Sequence, residues 1–350
     1  MELIKNKGID LNNINSIVII MFGLLGDVFM RTIILKALKE LFPGSIITAI
    51  VDPIGKQVLE NNIYCDNIVI VDRSKKNRYN YYLNKLKTIF TIRNQNPDLI
   101  VDLYNGGSSP FIVFTSSAKY RLGYQHQKDK SVYNLRSNYI PYINKVIDSY
   151  NKQVLSILQP LTDKNFSLKP IFQISEDALV TMRNYVTKMN LSIDKVYVLN
   201  LGSGGEEKLL DNEIYFKIIE YIFRKYDFIP AIVRNPSQEY LQDNLINEYL
   251  KSSDIKYIRL KSLSIDEVAA IIEMSRFIIT PDTGLMHLSF ALEVYSFTIF
   301  TYTNPKLVDL GSEKFISVFD KFDAMQLFQK QDITLDMICN KIDNLFEKIL

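Results

Sequence analysis

Tryptophan is absent from this chain of 350 residues, and cysteine and histidine occur only twice each. Cys65 and Cys339 stand far apart with no His or Cys at ligand spacing, which excludes a disulfide framework and a Cys/His zinc site. No Asp-x-Asp triplet occurs anywhere, so an obligatory metal clamp on a diphosphate has no obvious ligands. Long apolar runs are missing too. The longest, 17–22, continues past Gly23 only to Leu24 and Leu25, against the ~20 residues a membrane-spanning helix needs. With Glu2 and Asp10 before it and no small-x-small site after it, that run reads as a buried strand and not as a secretory leader, and the cytoplasm is the expected compartment. What remains is ordinary for a folded protein: 47% apolar and 23% charged residues, enough to build a large core in two units.

Strand-like and helix-like runs alternate almost throughout, the pattern of an open α/β sheet with crossover helices. In the first half, strands are expected at 16–22, 45–51, 67–71 and 98–103, with the clearest helix at 27–42, stopped by Pro43-Gly44. After a polar, Pro-containing stretch at 162–170 a second series begins. Strands are expected at 195–201, 228–233, 256–260, 276–280 and 295–300, and helices at 212–226, 237–250, 264–274 and 284–292. Two α/β halves of similar size, 1–165 and 166–350, follow from this pattern.

Net charge is close to zero, 41 Lys+Arg against 39 Asp+Glu, but it is divided unevenly. Residues 1–165 hold 21 basic and 13 acidic side chains, a balance of +8, whereas 166–350 hold 20 and 26, a balance of −6. The stretch 73–93 has seven basic residues and no acid, and 119–136 has five against Asp129. Such stretches are either solvated faces or a surface that meets an anionic partner.

Three glycine-punctuated turns follow expected strands. The first, Phe22-Gly23-Leu24-Leu25-Gly26-Asp27, lacks the middle glycine of a dinucleotide fingerprint. Asp52 stands where an NAD ribose ligand would, but Asp27 would place a carboxylate beside the pyrophosphate, which argues against NAD. Asp27 is either a first-turn acid favoured by the helix dipole or a general base held by a tight turn. The second turn, Gly202-Ser203-Gly204-Gly205-Glu206-Glu207-Lys208, is a flexible connector or an anion loop in which backbone N–H groups, the Ser203 hydroxyl and the Lys208 ammonium meet a phosphate. The third, Thr280-Pro281-Asp282-Thr283-Gly284-Leu285-Met286-His287, starts an apolar helix whose first N–H groups and Thr283 hydroxyl point where a phosphate would bind. Asp282 is a cap or a ligand of sugar hydroxyls, and His287 is a packed core residue or a site residue.

These motifs, in this order, resemble glycosyltransferase family 9, the lipopolysaccharide heptosyltransferases. The resemblance runs from about Ser16 to about Phe300 and includes Pro97-Asp98-Leu99-Ile100-Val101-Asp102-Leu103-Tyr104 and Ala118-Lys119-Tyr120-Arg121-Leu122-Gly123-Tyr124. It implies a GT-B fold, two Rossmann-like α/β domains facing a central cleft, with 1–165 binding the acceptor and 166–350 the nucleotide-sugar donor. It implies inverting, metal-independent transfer of heptose from ADP-heptose to a sugar hydroxyl of the lipopolysaccharide inner core, without a cofactor. Asp27 would be the base and Lys208 would neutralise the departing diphosphate. Gly26, Ser203, Gly204, Asp282, Thr283, Gly284 and His287 would serve donor binding, and Lys119 and Arg121 acceptor binding. The implied partners are the donor, an anionic glycolipid acceptor and the inner membrane surface, met peripherally; no nucleic acid is expected. Two positions depart from the family pattern. Leu209-Leu210 follow Lys208 where members usually have Trp, and Thr301-Tyr302-Thr303-Asn304-Pro305 replaces a Gly-Pro-Thr segment. Both bear on the donor's base and sugar, which leaves open a transferase using another nucleotide sugar for a surface glycan, or an inactive nucleotide-binding relative.

Overall fold

The structure is a computed structural model that describes residues 13–73, 78–104, 106–107, 109–125, 130–138, 147–189, 192–322 and 326–350. Of the two basic stretches, 74–77 and 126–129 lie outside the described residues, as does His126. The chain divides into two compact units, Met1–Phe172 and Gln173–Leu350. The end of the first unit is held there by Ile171, whose N–H donates to Thr32 Oγ1 at 2.8 Å, and by Phe172, edge-on to Phe29 at 5.6 Å.

In the first unit the order is β1 (Ser16–Ile20), α1 (Leu25–Leu41), β2 (Ile46–Val51), α2 (Pro53–Leu59), β3 (Asn67–Ile70), α3 (Arg78–Asn94), β4 (Leu99–Asp102), α4 (Ser109–Thr115), β5 (Tyr120–Tyr124), β6 (Leu135–Ser137) and α5 (Tyr150–Ser156). The second unit runs α6 (Glu176–Thr187), β7 (Val196–Asn200), α7 (Asn212–Tyr226), β8 (Ile229–Val233), α8 (Glu239–Asn244), β9 (Ile258–Arg259), α9 (Ile265–Met274), β10 (Phe277–Pro281), α10 (Gly284–Leu292), β11 (Tyr295–Ile299), β12 (Phe315–Val318) and α11 (Leu335–Ile349).

Each unit is one six-stranded parallel sheet, and the two have the same topology: β3-β2-β1-β4-β5-β6 and β9-β8-β7-β10-β11-β12. That is the doubly wound order in which the first strand of the unit lies between the second and the fourth, so the chain leaves it in opposite directions on either side. Central strands read as unbroken apolar runs because helices cover both faces; Ile17, Val18, Ile19 and Ile20 are all fully buried, as are Val196, Tyr197, Val198 and Leu199. Helix ends carry recognisable stops and starts. Ser264 and Glu267 exchange hydrogen bonds at the start of α9, and α7 ends on Asp227 in the left-handed region at φ 58.

Several elements differ from the sequence-based expectation. The helix expected at 237–250 is regular only as α8; a π turn over Leu245–Tyr249 and a 3-10 turn follow, while Gln242 is buried and donates to the carbonyls of Ile232 and Leu260. β9 is a two-residue edge strand. β5, β6, β12 and α11 were not anticipated, although α11 places Ile338, Ile342, Leu345, Phe346 and Ile349 in the core at helical spacing. Among the described residues, no helix is long and apolar enough to cross a membrane.

Candidate active site

In the first unit the turn after β1 opens at the strand-order reversal between β1 and β4, where doubly wound sheets form their ligand crevice. Gly23 takes φ +152, and a Cβ there would stand 2.6 Å from Asp27 Oδ2, so only glycine fits. Two carboxylates hold successive amides of this turn. Asp52 Oδ2 accepts from the Gly23 N–H at 2.9 Å, and Asp27 Oδ2 accepts from the Leu24 N–H at 2.8 Å. Asp27 is therefore the N3 acid that closes the start of α1, while its Oδ1 accepts no hydrogen bond among the described residues. It is half-buried.

Asp52 is itself clamped by Arg73, whose Nε and Nη2 reach its two oxygens at 2.6 and 2.7 Å. The Arg73 guanidinium lies 4.4 Å from the Phe22 ring centre and 4.6 Å from that of Tyr104, and the Asp52 hydrogen bonds raise its pKa above the ordinary value. Asp52, being so engaged, is not presented to a ribose. Arg31, one turn past Asp27, donates to the Phe22 carbonyl. Burial draws the Arg31 guanidinium pKa down, against the carboxylates of Asp27 and Asp102, which pull it up. Asp102, fully buried at the end of β4, accepts from Tyr133 Oη at 2.6 Å and from the Tyr104 N–H at 3.0 Å.

The second unit gathers the remaining motifs at the equivalent reversal, between β7 and β10. Lys208 Nζ meets Asp282 Oδ2 at 2.6 Å, joining the loop after β7 to the turn after β10. Asn200 Nδ2 staples the same two strand ends, donating to Thr280 Oγ1 at 2.9 Å and Thr283 Oγ1 at 3.2 Å. Thr283, not Asp282, is the cap of α10: its Oγ1 accepts from the Leu285 N–H at 3.3 Å, while the Gly284 N–H has no acceptor among the described residues. Gly202 is required by close approach, since a Cβ would lie 2.6 Å from Asn235 Nδ2 and 2.8 Å from Gln238 Oε1. A Cβ on Gly204 would meet nothing within 4 Å, so the loop backbone can be approached from outside there. Ser203 turns inward; its N–H donates to Gln238 Oε1 at 2.9 Å and its hydroxyl to the Gly205 carbonyl. Thr301 ties the loop to the end of β11 by donating to the Glu207 carbonyl at 2.8 Å.

Lys208, Asp282, Thr283, Gly284, Ser203 and Gly204 thus form one constellation, a cation beside the positive end of a helix and a loop with an open backbone. His287 lies one turn into α10, buried, with its ring edge-on to Phe290 at 5.9 Å. Gly26 and Asp27 belong to the first unit's turn. Lys119 and Arg121 do not join that turn. Strand register sets Tyr120 level with Leu99 and Ile17, at the amino edge of the sheet, whereas the Asp27 turn follows the carboxyl edge. Arg121 spends its guanidinium on the carbonyls of Val132 and Ala118, at 2.7 and 3.0 Å. Lys119 Nζ lies 5.0 Å from the Tyr120 ring centre. The sequence reading did not single out Arg31, and it marked Arg73 only as the first residue of a basic stretch, not as the partner of Asp52. Arg31 was accessible from spacing, four positions after Asp27 on one helix face.

The sequence profile of glycosyltransferase family 9 (heptosyltransferase) matches residues 86–338, a span that contains Lys208 and Asp282 and begins after Asp27. No curated protein sequence matches the chain. Among solved structures, a glycosyl transferase family 9 protein from Veillonella parvula superposes with a TM-score of 0.82 at 19% identity, covering 95% of this chain and 98% of that one. ADP-heptose LPS heptosyltransferase II of E. coli gives 0.76 at 15% identity, covering 95% and 99%. E. coli heptosyltransferase WaaC with ADP gives 0.69 at 14% identity, covering 96% and 100%. At these identities the likeness is one of fold, and it accounts for two Rossmann-type sheets of identical strand order. The profile match, which takes in well over half of the residues, settles the rest: the chain belongs to glycosyltransferase family 9, the heptosyltransferase family, and is a glycosyltransferase of GT-B fold.

Proposed function

We propose that the protein transfers heptose from ADP-heptose to a sugar hydroxyl of the lipopolysaccharide inner core, with inversion and without a metal, at the cytoplasmic face of the inner membrane. The observation that carries this reading is the Lys208–Asp282 pair at the start of α10, beside the open backbone of Gly204. Asp27 Oδ1 takes the proton of the acceptor hydroxyl as its oxygen attacks C1 of the donor sugar from the face opposite the diphosphate. The bond from C1 to the phosphate oxygen breaks, and ADP departs with the electron pair. Charge grows on that oxygen as the bond breaks, so a cation and a helix N-terminus fixed beside it stabilise the transition state more than the bound donor. Asp282, half of whose carboxylate is held by Lys208, offers its other oxygen to donor hydroxyls. The adenine choice is supported by the structural likeness to a heptosyltransferase holding ADP.

A second reading, a transferase of the same fold that uses another nucleotide sugar, is favoured by Leu209 following Lys208 where the family usually has Trp. Incubating the purified protein with ADP-heptose, other ADP-sugars, and UDP- and GDP-sugars, each with an inner-core acceptor, separates the two. ADP release and a β-to-α or α-to-β change at C1 with ADP-heptose alone supports the first reading, and turnover only with another nucleotide supports the second. Complete loss of turnover with EDTA, restored by magnesium or manganese, contradicts the metal-free mechanism under either.

A further inference from the structure

The helices α3 and α4 of the first unit carry apolar side chains that the core does not use. Ile92 of α3 and Ile112 and Val113 of α4 enter a single buried cluster, so the two helices lie on the same face of the sheet, and they also touch each other. On their outer sides, Leu86 and Phe90 of α3 are 52% and 63% exposed, and Phe111 and Phe114 of α4 are 49% and 70% exposed. A helix that buries one stripe ordinarily shows polar side chains on the other. Here four large apolar side chains stand outward instead, among the exposed Lys87, Thr91, Arg93 and Asn94 of α3 and the exposed Lys119 that follows α4. In sequence no acid occurs in 73–93 or in 103–128, so the exposed cations of this face, Lys87, Arg93 and Lys119, have no acidic neighbour along the chain.

We propose that this α3–α4 face is an interfacial docking surface for a bilayer containing anionic lipid, with the Phe90 and Phe114 rings seated at the headgroup boundary and the basic side chains on lipid phosphates. Charge selects the occupant. Exposed rings interleaved with cations and no acid along the chain fit a surface that is apolar below and anionic above, whereas pairing the face with a second copy of itself would set basic side chains against basic side chains. The proposal deepens the reading of a glycolipid acceptor, yet its observations are independent of any donor chemistry.

Sedimentation of the full chain with phosphatidylglycerol/phosphatidylethanolamine vesicles and with pure phosphatidylcholine vesicles tests it. The unmodified protein should partition onto the anionic vesicles and much less onto phosphatidylcholine. Removing each ring in Phe90→Ser/Phe114→Ser should lower the partition coefficient by about tenfold, and Lys87→Glu/Arg93→Glu should weaken it in a way that added salt reproduces. Because the chain has no tryptophan, Phe90→Trp gives a reporter without background, whose emission should shift to the blue on vesicles and be quenched by brominated lipid. The proposal is overturned by failure of the unmodified protein to bind, by a serine variant that binds as well as the parent, or by indole emission from the Phe90→Trp variant that vesicles leave unchanged. It is equally overturned if the parent self-associates without binding vesicles and the serine variant is monomeric. Turnover on a soluble acceptor should be the same in the parent and the serine variant. Vesicle binding without turnover on any donor would remove the proposed reaction and leave this surface standing; turnover without vesicle binding would do the reverse.

Discussion

Under the proposed reaction Lys208 both neutralises Asp282 and meets the departing diphosphate, and a pair of substitutions separates the two. Its ammonium lies 2.6 Å from Asp282, whose side chain is 10% exposed while that of Lys208 is 25% exposed. Lys208→Ala therefore strands a carboxylate that has no other hydrogen-bond partner among the described residues. An unpaired buried charge costs about 3–5 kcal/mol when fully enclosed. Water can enter the space a quarter-exposed lysine vacates, so about 1–3 kcal/mol is expected here. For a cooperative unit of this size each kcal/mol moves Tm by roughly 2–4 °C, which puts the transition about 2–12 °C lower. Adding Asp282→Asn removes the stranded charge and should restore most of that loss. Turnover should behave differently. Removing one group that meets developing charge costs about 10²- to 10³-fold in kcat, and no change at Asp282 replaces the missing cation. The double variant is thus expected to be nearly as stable as the parent and as slow as Lys208→Ala, with weakened ADP binding in both. Thermal unfolding, ADP calorimetry and single-turnover transfer on the four proteins of the cycle measure this. Recovery of rate together with recovery of Tm would refute the reasoning, because Lys208 would then serve only to neutralise Asp282.

The residues whose meaning was legible in sequence are those whose neighbours are local. Ile17 to Ile20 read as a strand because a parallel strand covered on both faces needs no alternation, and Asp27 was legible both as a helix-start acid and as a turn residue because Leu24 is three positions away. The Asp282-Thr283-Gly284 turn was equally local, though the cap proved to be the threonine. What could not be read depends on strand order. Lys208 and Asp282 are 74 positions apart and meet only because β10 lies beside β7. Asp52 and Arg73 meet because β2 and β3 end at the same edge. Lys119 and Arg121 show the converse: composition marked them as basic, but only the register of β5 reveals that they lie at the amino edge, away from the Asp27 turn. The family resemblance supplied the order of motifs, and with it the fold, without supplying these pairings. β12 and α11 were missed for a different reason. β12 is only four residues long, too short for its alternation of half-buried and buried positions to stand out in sequence, and the helical stripe of α11 lies beyond the last glycine turn, where no chemistry drew attention to it.

Asp27→Asn keeps an oxygen for the Leu24 N–H, so the start of α1 should survive while transfer falls by about 10²- to 10⁴-fold; near-normal turnover with unchanged donor affinity would remove Asp27 as the base. Gly23→Ala forces a Cβ to 2.6 Å from Asp27 Oδ2 at φ +152, and should destabilise by about 1–3 kcal/mol while lowering turnover in the parent but not further in the Asp27→Asn background. Stability in acid should depend on Asp343, which docks α11 onto α7 by accepting from Tyr226 Oη at 2.5 Å, Tyr221 Oη at 2.8 Å and Lys225 Nζ at 2.9 Å. Burial pushes this carboxyl up, but the hydrogen bonds from Tyr226, Lys225 and Tyr221 outweigh it and hold the pKa below the ordinary carboxylate value. A carboxyl that is more acidic folded than unfolded stabilises the fold at every pH above its unfolded value of about 3.9, and that contribution is lost as pH falls through the folded value. Asp343→Asn should therefore melt below the parent at neutral pH, and the two melting curves should converge as pH drops below about 4. A gap in Tm that stays constant from neutral to acid pH would show that the charge of Asp343 contributes nothing and that only the shape of its hydrogen bonds matters.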